Sequence, residues 1–297
     1  MKMAVIGCGL IGGSMALSWK RAGIVDEVIA FGHNPATLQK ALDKGAADAV
    51  TTSMEEAVKD ADIVVSAVPV EAMESVFTEM APFLKPDAVV TDVGSTRQTV
   101  IAAARKGLGD KFHQYAPAHP IAGGEMPGVD YASADLFDEK VVISTPDEGM
   151  DPKVVVFMED AWRKAGARVQ TMSPHQHDLT FASVSHLPHV LAYALVDMIA
   201  REENAQEKLK MAGAGFRDFT RIASSSPVMW RDICLSNREA LSHELKRYRT
   251  SLDTLQKYIC LLYTSEPTRL RRISLKTVAA WSSPENKDKN DGRNFKT

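Results

Sequence analysis

The fold of this chain is decided by the stretch Gly7-Cys8-Gly9-Leu10-Ile11-Gly12-Gly13-Ser14. It follows a short apolar run at 3–6 and opens an amphipathic segment, the setting in which G-x-G-x-x-G is typical of a dinucleotide-binding turn. Gly7 permits the tight turn, Gly9 lets the backbone approach a pyrophosphate, and Gly12 allows close helix packing. Free N–H groups at the helix start would bind the phosphates. The stretch therefore predicts a Rossmann-type sheet that binds NAD or NADP.

The pattern around this stretch extends the sheet to about residue 173. Short apolar runs alternate with amphipathic segments, as expected of strands joined by crossover helices in a parallel sheet. The predicted strands are 3–6, 27–31, 63–68, 88–92, 114–117, 141–144 and 168–172, with helices such as 12–22 and 70–84 between them. We therefore predict an α/β class, with a doubly wound, mostly parallel sheet at 1–173.

After Pro174 the β-branched runs disappear and the pattern indicates helices. They are predicted at 177–201, 205–211, 216–223 and 230–258. The first of them carries a long apolar stripe, including Leu191, Leu195 and Ile199, which favours helix–helix dimerisation; a thick internal core is the alternative. We predict an all-α dimerisation domain at 174–261 and a homodimer.

The composition narrows the classes of partner. A net charge of -3 leaves no basic excess for nucleic acid or an anionic membrane. Cys8, Cys234 and Cys260 form no CxxC pair, so neither a disulfide framework nor a zinc knuckle is indicated. The first strand starts within a few residues and no apolar run approaches the roughly 20 residues that span a bilayer, so we expect no signal peptide or transmembrane helix. We expect a cytoplasmic protein whose partner is a small molecule.

The last segment, 262–297, differs from everything before it. It is rich in Lys, Arg, Ser and Asn and lacks sustained periodicity. We predict a poorly ordered tail, either disordered or foreign to the natural carboxyl terminus, without a catalytic role.

Further strand ends complete the predicted cofactor site. The second strand ends in Phe31-Gly32-His33-Asn34, without the Asp or Glu that holds the ribose of NAD, so the choice between NAD and NADP stays open. His33 or Lys40 could face a 2′-phosphate, although no arginine follows. The expected cofactor contacts are Gly7, Gly9, Leu10, Ile11, Gly12, Gly32, His33, Asn34, Ala67, Val68, Pro69 and Gly94.

A titratable imidazole stands in Ala118-His119-Pro120-Ile121-Ala122-Gly123, near the sheet edge where open α/β folds bind ligands. Glycines and a carboxylate follow it in a polar segment better suited to covering a ligand than to building a core. We predict that His119 is a catalytic base. Ser95, after the preceding strand, is expected to bind the reacting oxygen, to cap a helix, or to do both.

The helical part opens with a dense group of histidines that includes His177, His186 and His189. His186 and His189 share one helical face, but no acidic or cysteine ligand has fitting spacing and Pro188 perturbs the helix. We therefore predict that they line a polar cleft and hold no metal.

Two arginines about one helical turn apart, Arg217 and Arg221, precede Trp230. A guanidinium can bind a carboxylate through two parallel hydrogen bonds, whereas pairing with a neighbouring aspartate is the alternative for either arginine. Together with the nearby aromatic residues, they predict a site for a carboxylate substrate.

Six motifs in order, GCGLIGGS, TDVGS, AHPIAG, SHLPH, GFRDFTRIA and MWRDI, resemble the prephenate dehydrogenase family, also called TyrA or cyclohexadienyl dehydrogenases. The resemblance covers about residues 1–260. It implies that His119 accepts the proton of the ring 4-hydroxyl of prephenate while the C4 hydride moves to the nicotinamide. The ring carboxylate leaves as carbon dioxide, giving 4-hydroxyphenylpyruvate for tyrosine biosynthesis.

The same resemblance assigns expected roles to other residues. Ser95 orients the hydroxyl and His119, and Arg221 binds a substrate carboxylate, with Arg217 the less favoured arginine. The expected pocket residues are His186, His189 and Trp230, supported by His177. Gly32 departs from the family pattern, and neither an ACT domain nor a chorismate mutase domain is visible.

Three alternatives remain at this point. Arogenate dehydrogenase would act on a substrate with an amino group in place of the keto oxygen. A β-hydroxyacid or imine reductase would favour a catalytic lysine in the helical domain. A silent dinucleotide-binding module would need the glycine loop but no base, so it would tolerate His119→Asn.

Overall fold

The structure is a computed structural model that describes residues 1–124 and 126–261. The predicted tail at 262–297 lies outside the described residues. Residues 1–241 form one compact unit, the described residues from 242 onward belong to a second, and every site residue discussed below lies in the first. The predicted domain boundary at 173 falls inside that first unit and stays a prediction.

A five-stranded parallel sheet forms the first layer, in the order β3-β2-β1-β4-β5. Its strands are β1 Lys2–Ile6, β2 Glu27–Phe31, β3 Ala49–Thr51, β4 Ile63–Ser66 and β5 Val89–Asp92. The central strands β1 and β4 are buried from Met3 to Ile6 and from Ile63 to Ser66, as a sheet covered on both faces requires. Because Ile6 pairs with both Phe31 and Ser66, three strands end at the same edge, where the glycine loop begins.

Five helices follow strands of this sheet: α1 Leu10–Arg21, α2 Pro35–Asp43, α3 Met54–Val58, α4 Met73–Met80 and α5 Gln98–Leu108. The predicted helix at 70–84 is α4 with a single 3-10 turn at each end, Val70–Ala72 and Ala81–Phe83. Strand β3 was not predicted, since it has only three residues and none of them is fully buried.

A second sheet of three strands carries the candidate base. Its strands are β6 Ala118–Pro120, β7 Val141–Ser144 and β8 Arg168–Thr171, with helix α6 Pro152–Lys164 between the last two. Strand β6 runs antiparallel to β7, whereas β7 and β8 are parallel. Just before β6, an isolated parallel bridge between Tyr115 and Val90 connects the chain to β5 of the first sheet.

The strand predicted at 114–117 lies in fact at Ala118–Pro120. Gln114 is the last residue of a 3-10 segment, Gly109–Gln114, and the backbone becomes extended only at Tyr115. The side-chain amide of Gln114 donates to the carbonyl oxygens of Lys85 and Pro86. His119 is therefore inside β6 rather than after a strand end.

Residues 174–261 are mainly helical, which confirms the predicted class of a Rossmann-type α/β domain followed by helices. The helices are α7 Pro174–Phe181, α8 Leu187–Ala200, α9 Ala205–Lys210, α10 Ala214–Thr220, α11 Pro227–Ser236 and α12 Arg238–Leu261. A π turn at Ala182–His186 joins α7 to α8. The helix predicted at 177–201 is therefore continuous, but its hydrogen-bond pattern changes at this turn. The helix predicted at 230–258 is two helices, because the chain leaves helical geometry at Asn237.

One face of the α7–α8 run is apolar and unpaired within the described residues. Val184 is 66% exposed and Met198 is 58% exposed, while Ala192 is the one fully buried residue of α8. By length and composition alone the run Pro174–Ala200 could cross a membrane, at a mean hydropathy of 1.4, so the expectation that no apolar segment is long enough was wrong. Apolar faces of this kind also occur where protein subunits associate.

Candidate active site

The glycine loop forms a cradle that side chains would fill. A Cβ atom on Gly7, whose φ is +93°, would lie 2.7 Å from the carbonyl oxygen of Ala67. One on Gly12 would lie 2.5 Å from the carbonyl oxygen of Gly7, whereas one on Gly9 would meet nothing within 4 Å. Open space at Gly9, at the uncapped start of a helix with no acid in its first turn, suits a pyrophosphate.

The chain beyond β6 contacts this cradle. A Cβ atom on Gly13 would lie 2.9 Å from Cγ2 of Val129, and one on Gly124 would lie 3.4 Å from Cδ2 of Leu10. The Oγ atom of Ser14 accepts a hydrogen bond of 3.0 Å from the backbone N–H of Ser133. The second half of the sheet domain is thus fixed against the predicted cofactor loop.

The predicted ribose edge consists of Gly32, His33 and Asn34. The φ angle of Gly32 is outside the left-handed region, and a Cβ atom there would make only an ordinary contact, 3.4 Å from Cδ2 of Leu38. Asn34 caps α2, since its Oδ1 accepts from the N–H of Ala36 at 2.9 Å, and His33 is exposed. Neither backbone strain nor crowding inside the chain explains the glycine.

The charge of Lys40 is already paired, because its Nζ lies 2.5 Å from Oδ2 of Asp130. The residues Ala67, Val68 and Pro69 follow β4, and Ala67 contacts both Gly7 and Gly12. Gly94 follows β5, where a Cβ atom would lie 2.7 Å from Nη2 of Arg97 and 2.9 Å from Oδ1 of Asp92. The predicted cofactor contacts therefore surround one edge of the parallel sheet.

Three side chains from two parts of the chain form a hydrogen-bonded line. Nδ1 of His119 lies 2.8 Å from Nε2 of His177, and Nδ1 of His177 lies 2.9 Å from Oδ1 of Asp178. An ionised carboxylate only accepts, so His177 carries its proton on Nδ1 and its Nε2 accepts from His119. Neutral His119 then has its lone pair on Nε2, which is the state that a general base needs.

The charge states along this line follow from burial and neighbours. Burial lowers the pKa of His119 well below 6.5, with smaller contributions from His177, Arg97 and His186. Burial also lowers the pKa of His177, against the opposing effect of Asp178. Burial alone would raise the pKa of Asp178, but hydrogen bonds from His177 and two backbone N–H groups hold it low.

A fully buried ion pair supports the line from the other side. Nη2 of Arg97 lies 2.6 Å from Oδ1 of Asp92, and Nη1 donates to the carbonyl oxygen of Ala118 at 3.4 Å. The backbone N–H of Arg97 donates to Oδ1 of Asp178 at 2.8 Å, and the hydroxyl of Tyr115 donates to Oδ2 of Asp92. Arg97 thereby links the end of β5, the strand of His119 and the helix of Asp178.

Ser95 lies in the loop held by this ion pair, since the N–H of Gly94 donates to Asp92 at 2.7 Å. Among the described residues, no hydrogen bond joins Ser95 to His119, and Ser95 does not cap α5. The loop therefore holds Ser95 at the carboxyl edge of the parallel sheet, beside the strand that carries His119.

The predicted pocket residues form a second group. His189 stacks on Trp230, with ring centroids 3.5 Å apart, and His186 meets the same indole edge-on at 6.1 Å. The indole Nε1 of Trp230 is buried without a hydrogen-bond partner among the described residues. Burial lowers the pKa of His189, the hydrogen bond with Ser185 opposes this, and the charge of Arg221 lowers it further. The turn that begins at Arg221 packs against α8, the helix of His189.

Arg217 is not brought into the group. Its side chain is exposed on α10, and no described contact joins it to a histidine or to Trp230. His175 is also exposed. In the described part of the chain no set of three or more His, Cys, Asp or Glu side chains is placed to hold a metal ion.

Sequence reasoning missed four polar residues that organise the site: Asp92, Arg97, Asp178 and Asn237. The side-chain nitrogen of Asn237 lies 2.8 Å from the carbonyl oxygen of Asp178 and 3.2 Å from Nδ1 of His186. The one available signal was the His177–Asp178 pair, since an aspartate beside a histidine suggests an orienting partner.

Models of known families match both parts of the chain. Residues 15–171 match "Prephenate dehydrogenase, nucleotide-binding domain", and residues 173–273 match "Prephenate dehydrogenase, dimerization domain". The second match extends beyond the described residues, into the segment predicted to be a tail.

Individual proteins are similar over almost the whole chain. A cyclohexadienyl dehydrogenase of Zymomonas mobilis is 35% identical, over 93% of this chain and 96% of that protein. The crystal structure of prephenate dehydrogenase from Aquifex aeolicus, in complex with hydroxyphenyl propionate and NAD+, has a TM-score of 0.86 and 34% identity, covering 94% of this chain and 98% of that one. The crystal structure of Synechocystis arogenate dehydrogenase has a TM-score of 0.78 and 28% identity, covering 94% and 98%.

Proposed function

Because the chain belongs to the prephenate dehydrogenase family, we propose that it converts prephenate to 4-hydroxyphenylpyruvate by NAD- or NADP-dependent oxidative decarboxylation. The observation that supports this most is the line from Asp178 through His177 to His119, which leaves an imidazole lone pair beside the nucleotide-binding edge. The product feeds tyrosine biosynthesis.

The protein's part in the reaction is to hold and move a proton. Nε2 of His119 takes the proton of the ring 4-hydroxyl as the C4–O bond becomes a carbonyl-like bond and the C4 hydrogen leaves with its electron pair. The bond from the ring to its carboxylate then breaks and carbon dioxide departs. The electron pair of that bond completes the aromatic ring as a phenolate, which takes the proton back from His119 to give the phenol. Aromatisation drives the step, so orientation and proton removal are what the chain must supply.

The glycine loop and the end of β4 would hold the dinucleotide, with Gly9 nearest the pyrophosphate and Ala67 beside it. When bound, the nicotinamide supplies the hydride acceptor. Ser95, on the loop fixed by Asp92, would bind the reacting hydroxyl and keep it directed at His119.

Arg221 would bind a carboxylate of the substrate, because a guanidinium provides two parallel donors of fixed geometry. Its charge acts on His189, which stacks on Trp230, so these three residues support one pocket. The unpartnered indole N–H of Trp230 adds a donor for the same substrate. Arg217 and Arg221 are both exposed, but no described contact or charge effect joins Arg217 to this pocket.

Arogenate is the second candidate substrate. The arogenate dehydrogenase of Synechocystis has the same architecture at a TM-score of 0.78. Arogenate differs by an ammonium in place of the side-chain keto oxygen, far from the ring hydroxyl on which His119 acts. The proposed base chemistry is therefore the same for both substrates.

The test is a spectrophotometric assay that crosses prephenate and arogenate with NAD and NADP. We expect reduced nicotinamide to form with prephenate, together with release of carbon dioxide and 4-hydroxyphenylpyruvate. Turnover of arogenate alone would assign the second candidate. Absence of turnover in all four combinations, with the cofactor still bound, would contradict both and favour a silent binding module.

We propose further that the apolar face of α7 and α8 joins two copies of this chain into a homodimer, acting in the cytoplasm. Exposed Val184 and Met198 on this face, and the dimerization-domain match, support the proposal. Sedimentation equilibrium of wild type and Val184→Glu tests it, since a charge on the face should shift the mass toward the monomer. We also propose a division into a nucleotide-binding domain at 1–173 and a helical domain at 174–261, because the two family models match residues 15–171 and 173–273.

A further inference from the structure

We propose that Asn237 is a positioning residue that holds His186 in the neutral form with its proton on Nε2, so that His186 donates a hydrogen bond to an oxygen of the substrate. The assignment of the His186 tautomer, called the tautomer lock below, is argued from hydrogen-bond geometry and burial, whereas its consequence for substrate binding rests on the proposed function.

The orientation of the Asn237 amide follows from its first partner. The side-chain atom 2.8 Å from the carbonyl oxygen of Asp178 must be the NH2 nitrogen, because a carbonyl oxygen only accepts. The same nitrogen lies 3.2 Å from Nδ1 of His186. An amide NH2 group only donates, so Nδ1 of His186 must carry the lone pair.

The second step concerns the charge of His186. Its side chain is 1% exposed, and burial is the main cause that lowers its pKa to about 4. The ring is therefore neutral near pH 7 and holds a single proton. With Nδ1 accepting from Asn237, that proton is on Nε2.

His119 and His186 therefore differ at Nε2, which is an acceptor in the first and a donor in the second. Asp178 acts through His177 to leave His119 with an acceptor at Nε2, whereas Asn237 leaves His186 with a donor at Nε2. Asn237 contacts both arrangements, since its amide also binds the backbone of Asp178.

A donor at His186 agrees with its surroundings. The Nε1 atom of Trp230, whose ring meets His186 edge-on, is a second buried donor without a partner in the described part of the chain. Two donors at one place suit a carboxylate or keto oxygen rather than an ammonium group.

The direct test reads the tautomer itself. Nitrogen-15 NMR of the ligand-free full chain with labelled histidine, assigned with His186→Gln, distinguishes a protonated ring nitrogen from one with a lone pair. We expect the Nε2–H form for His186 in the wild type. The Nδ1–H form or a charged ring near pH 7 would overturn the proposal, without requiring any variant of Asn237 to fold.

Two variants of Asn237 test the cause. Asn237→Asp places an acceptor beside Nδ1 and should transfer the proton to that atom, while Asn237→Ala should remove the preference. Both should raise KM for the substrate by roughly tenfold while kcat changes less than about threefold, as expected when a ground-state hydrogen bond is lost.

Thr99→Val is the matched control. Its Oγ1 donates to the carbonyl oxygen of Ser236 at 2.8 Å, so it loosens the same helix junction without contacting His186 or Asp178. We expect no change in tautomer or KM. An equal effect of Thr99→Val and Asn237→Ala, or an unchanged tautomer in Asn237→Asp, would overturn the proposal. If the wild type shows no dehydrogenase activity, the proposed function fails while the NMR result still decides the lock.

Discussion

Nδ1 of His119 lies 2.8 Å from Nε2 of His177, although the two residues are 58 positions apart in the chain. The contact joins the strand that carries the base to the helix that carries its orienting partner. It leaves Nε2 as the ring nitrogen of His119 that can face the proposed substrate, because Nδ1 is already used as a donor. Control of the base therefore begins at Asp178, the far end of the line.

Asp178→Asn should lower kcat by about 10²-fold or more. An amide in this position offers a donor as well as an acceptor, so His177 loses its fixed tautomer and His119 loses the orientation of its lone pair. Steady-state kinetics measures the effect. Asp232→Asn is the matched control, since Asp232 is also buried but pairs with the adjacent Arg231 at 2.6 Å. Equal losses in both variants would indicate general destabilisation.

His119→Asn should reduce kcat by roughly 10²- to 10⁴-fold because the proton acceptor is removed. Cofactor binding should be retained, since the glycine loop is unchanged, and fluorescence titration with the dinucleotide measures this. Turnover equal to the wild type would refute the assignment of His119 as base.

The acidic limb of kcat/KM should lie below pH 6.5. Burial holds the pKa of His119 well below that value, so the base stays unprotonated until the pH falls further, and activity is lost only as protons bind to it. A limb centred at or above pH 6.5 would contradict this expectation.

Circular dichroism at each pH is the necessary control for that profile. The pKa of His186 falls from its usual 6.5 to about 4 on folding, so the unfolded chain binds more protons between these values and stability declines as the pH drops. Points at which the protein unfolds must be separated from those at which the base titrates.

Arg221→Ala should raise KM for prephenate by about tenfold to a hundredfold, with a smaller effect on kcat, because a charge-assisted pair with a carboxylate is lost. Arg217→Ala is the control, since no described contact joins Arg217 to a histidine or to Trp230, and its KM should change less than about threefold. The reverse ranking in initial-rate kinetics would exchange the two assignments.

Gly32→Asp should weaken NADP binding at least about tenfold and leave NAD binding equal or tighter. The carboxylate would repel a 2′-phosphate and accept from the ribose hydroxyls, and the Cβ atom fits against Leu38 at 3.4 Å. Calorimetric titration with each dinucleotide measures both. Gly32→Asn fills the same space without charge, so a similar loss there would show that volume, not charge, causes the effect.

Local sequence signals were sufficient for most of the fold. The glycine loop and the buried β-branched strands are contiguous, and they predicted β1, β2 and β7 closely. Strand β3 was missed because three residues carry too little periodicity, and β6 was misplaced because a 3-10 turn ends at Gln114. Both errors concern short segments, in which the hydrophobic pattern is too brief to fix the type or the bounds of the element.

The site was predicted only where a residue type itself suggests chemistry. His119, Arg221 and Trp230 stand in recognisable motifs, whereas the roles of Arg97 and Asn237 depend on partners far along the chain. Arg97 bonds to Asp178 across 81 positions, and Asn237 bonds to His186 across 51. Their proposed roles depend on the tertiary fold, which places them against side chains that are distant in sequence.

The buried pair of Arg97 and Asp92 restricts the routes by which this sequence can change. Loss of either partner leaves an uncompensated charge in a site that excludes water, at a cost of about 3–5 kcal/mol, which is a large share of a typical domain's stability. Replacement of both by apolar residues of similar volume can be neutral for stability, yet it needs two simultaneous substitutions. Positions 92 and 97 are therefore expected to be inherited together, as a single evolutionary character.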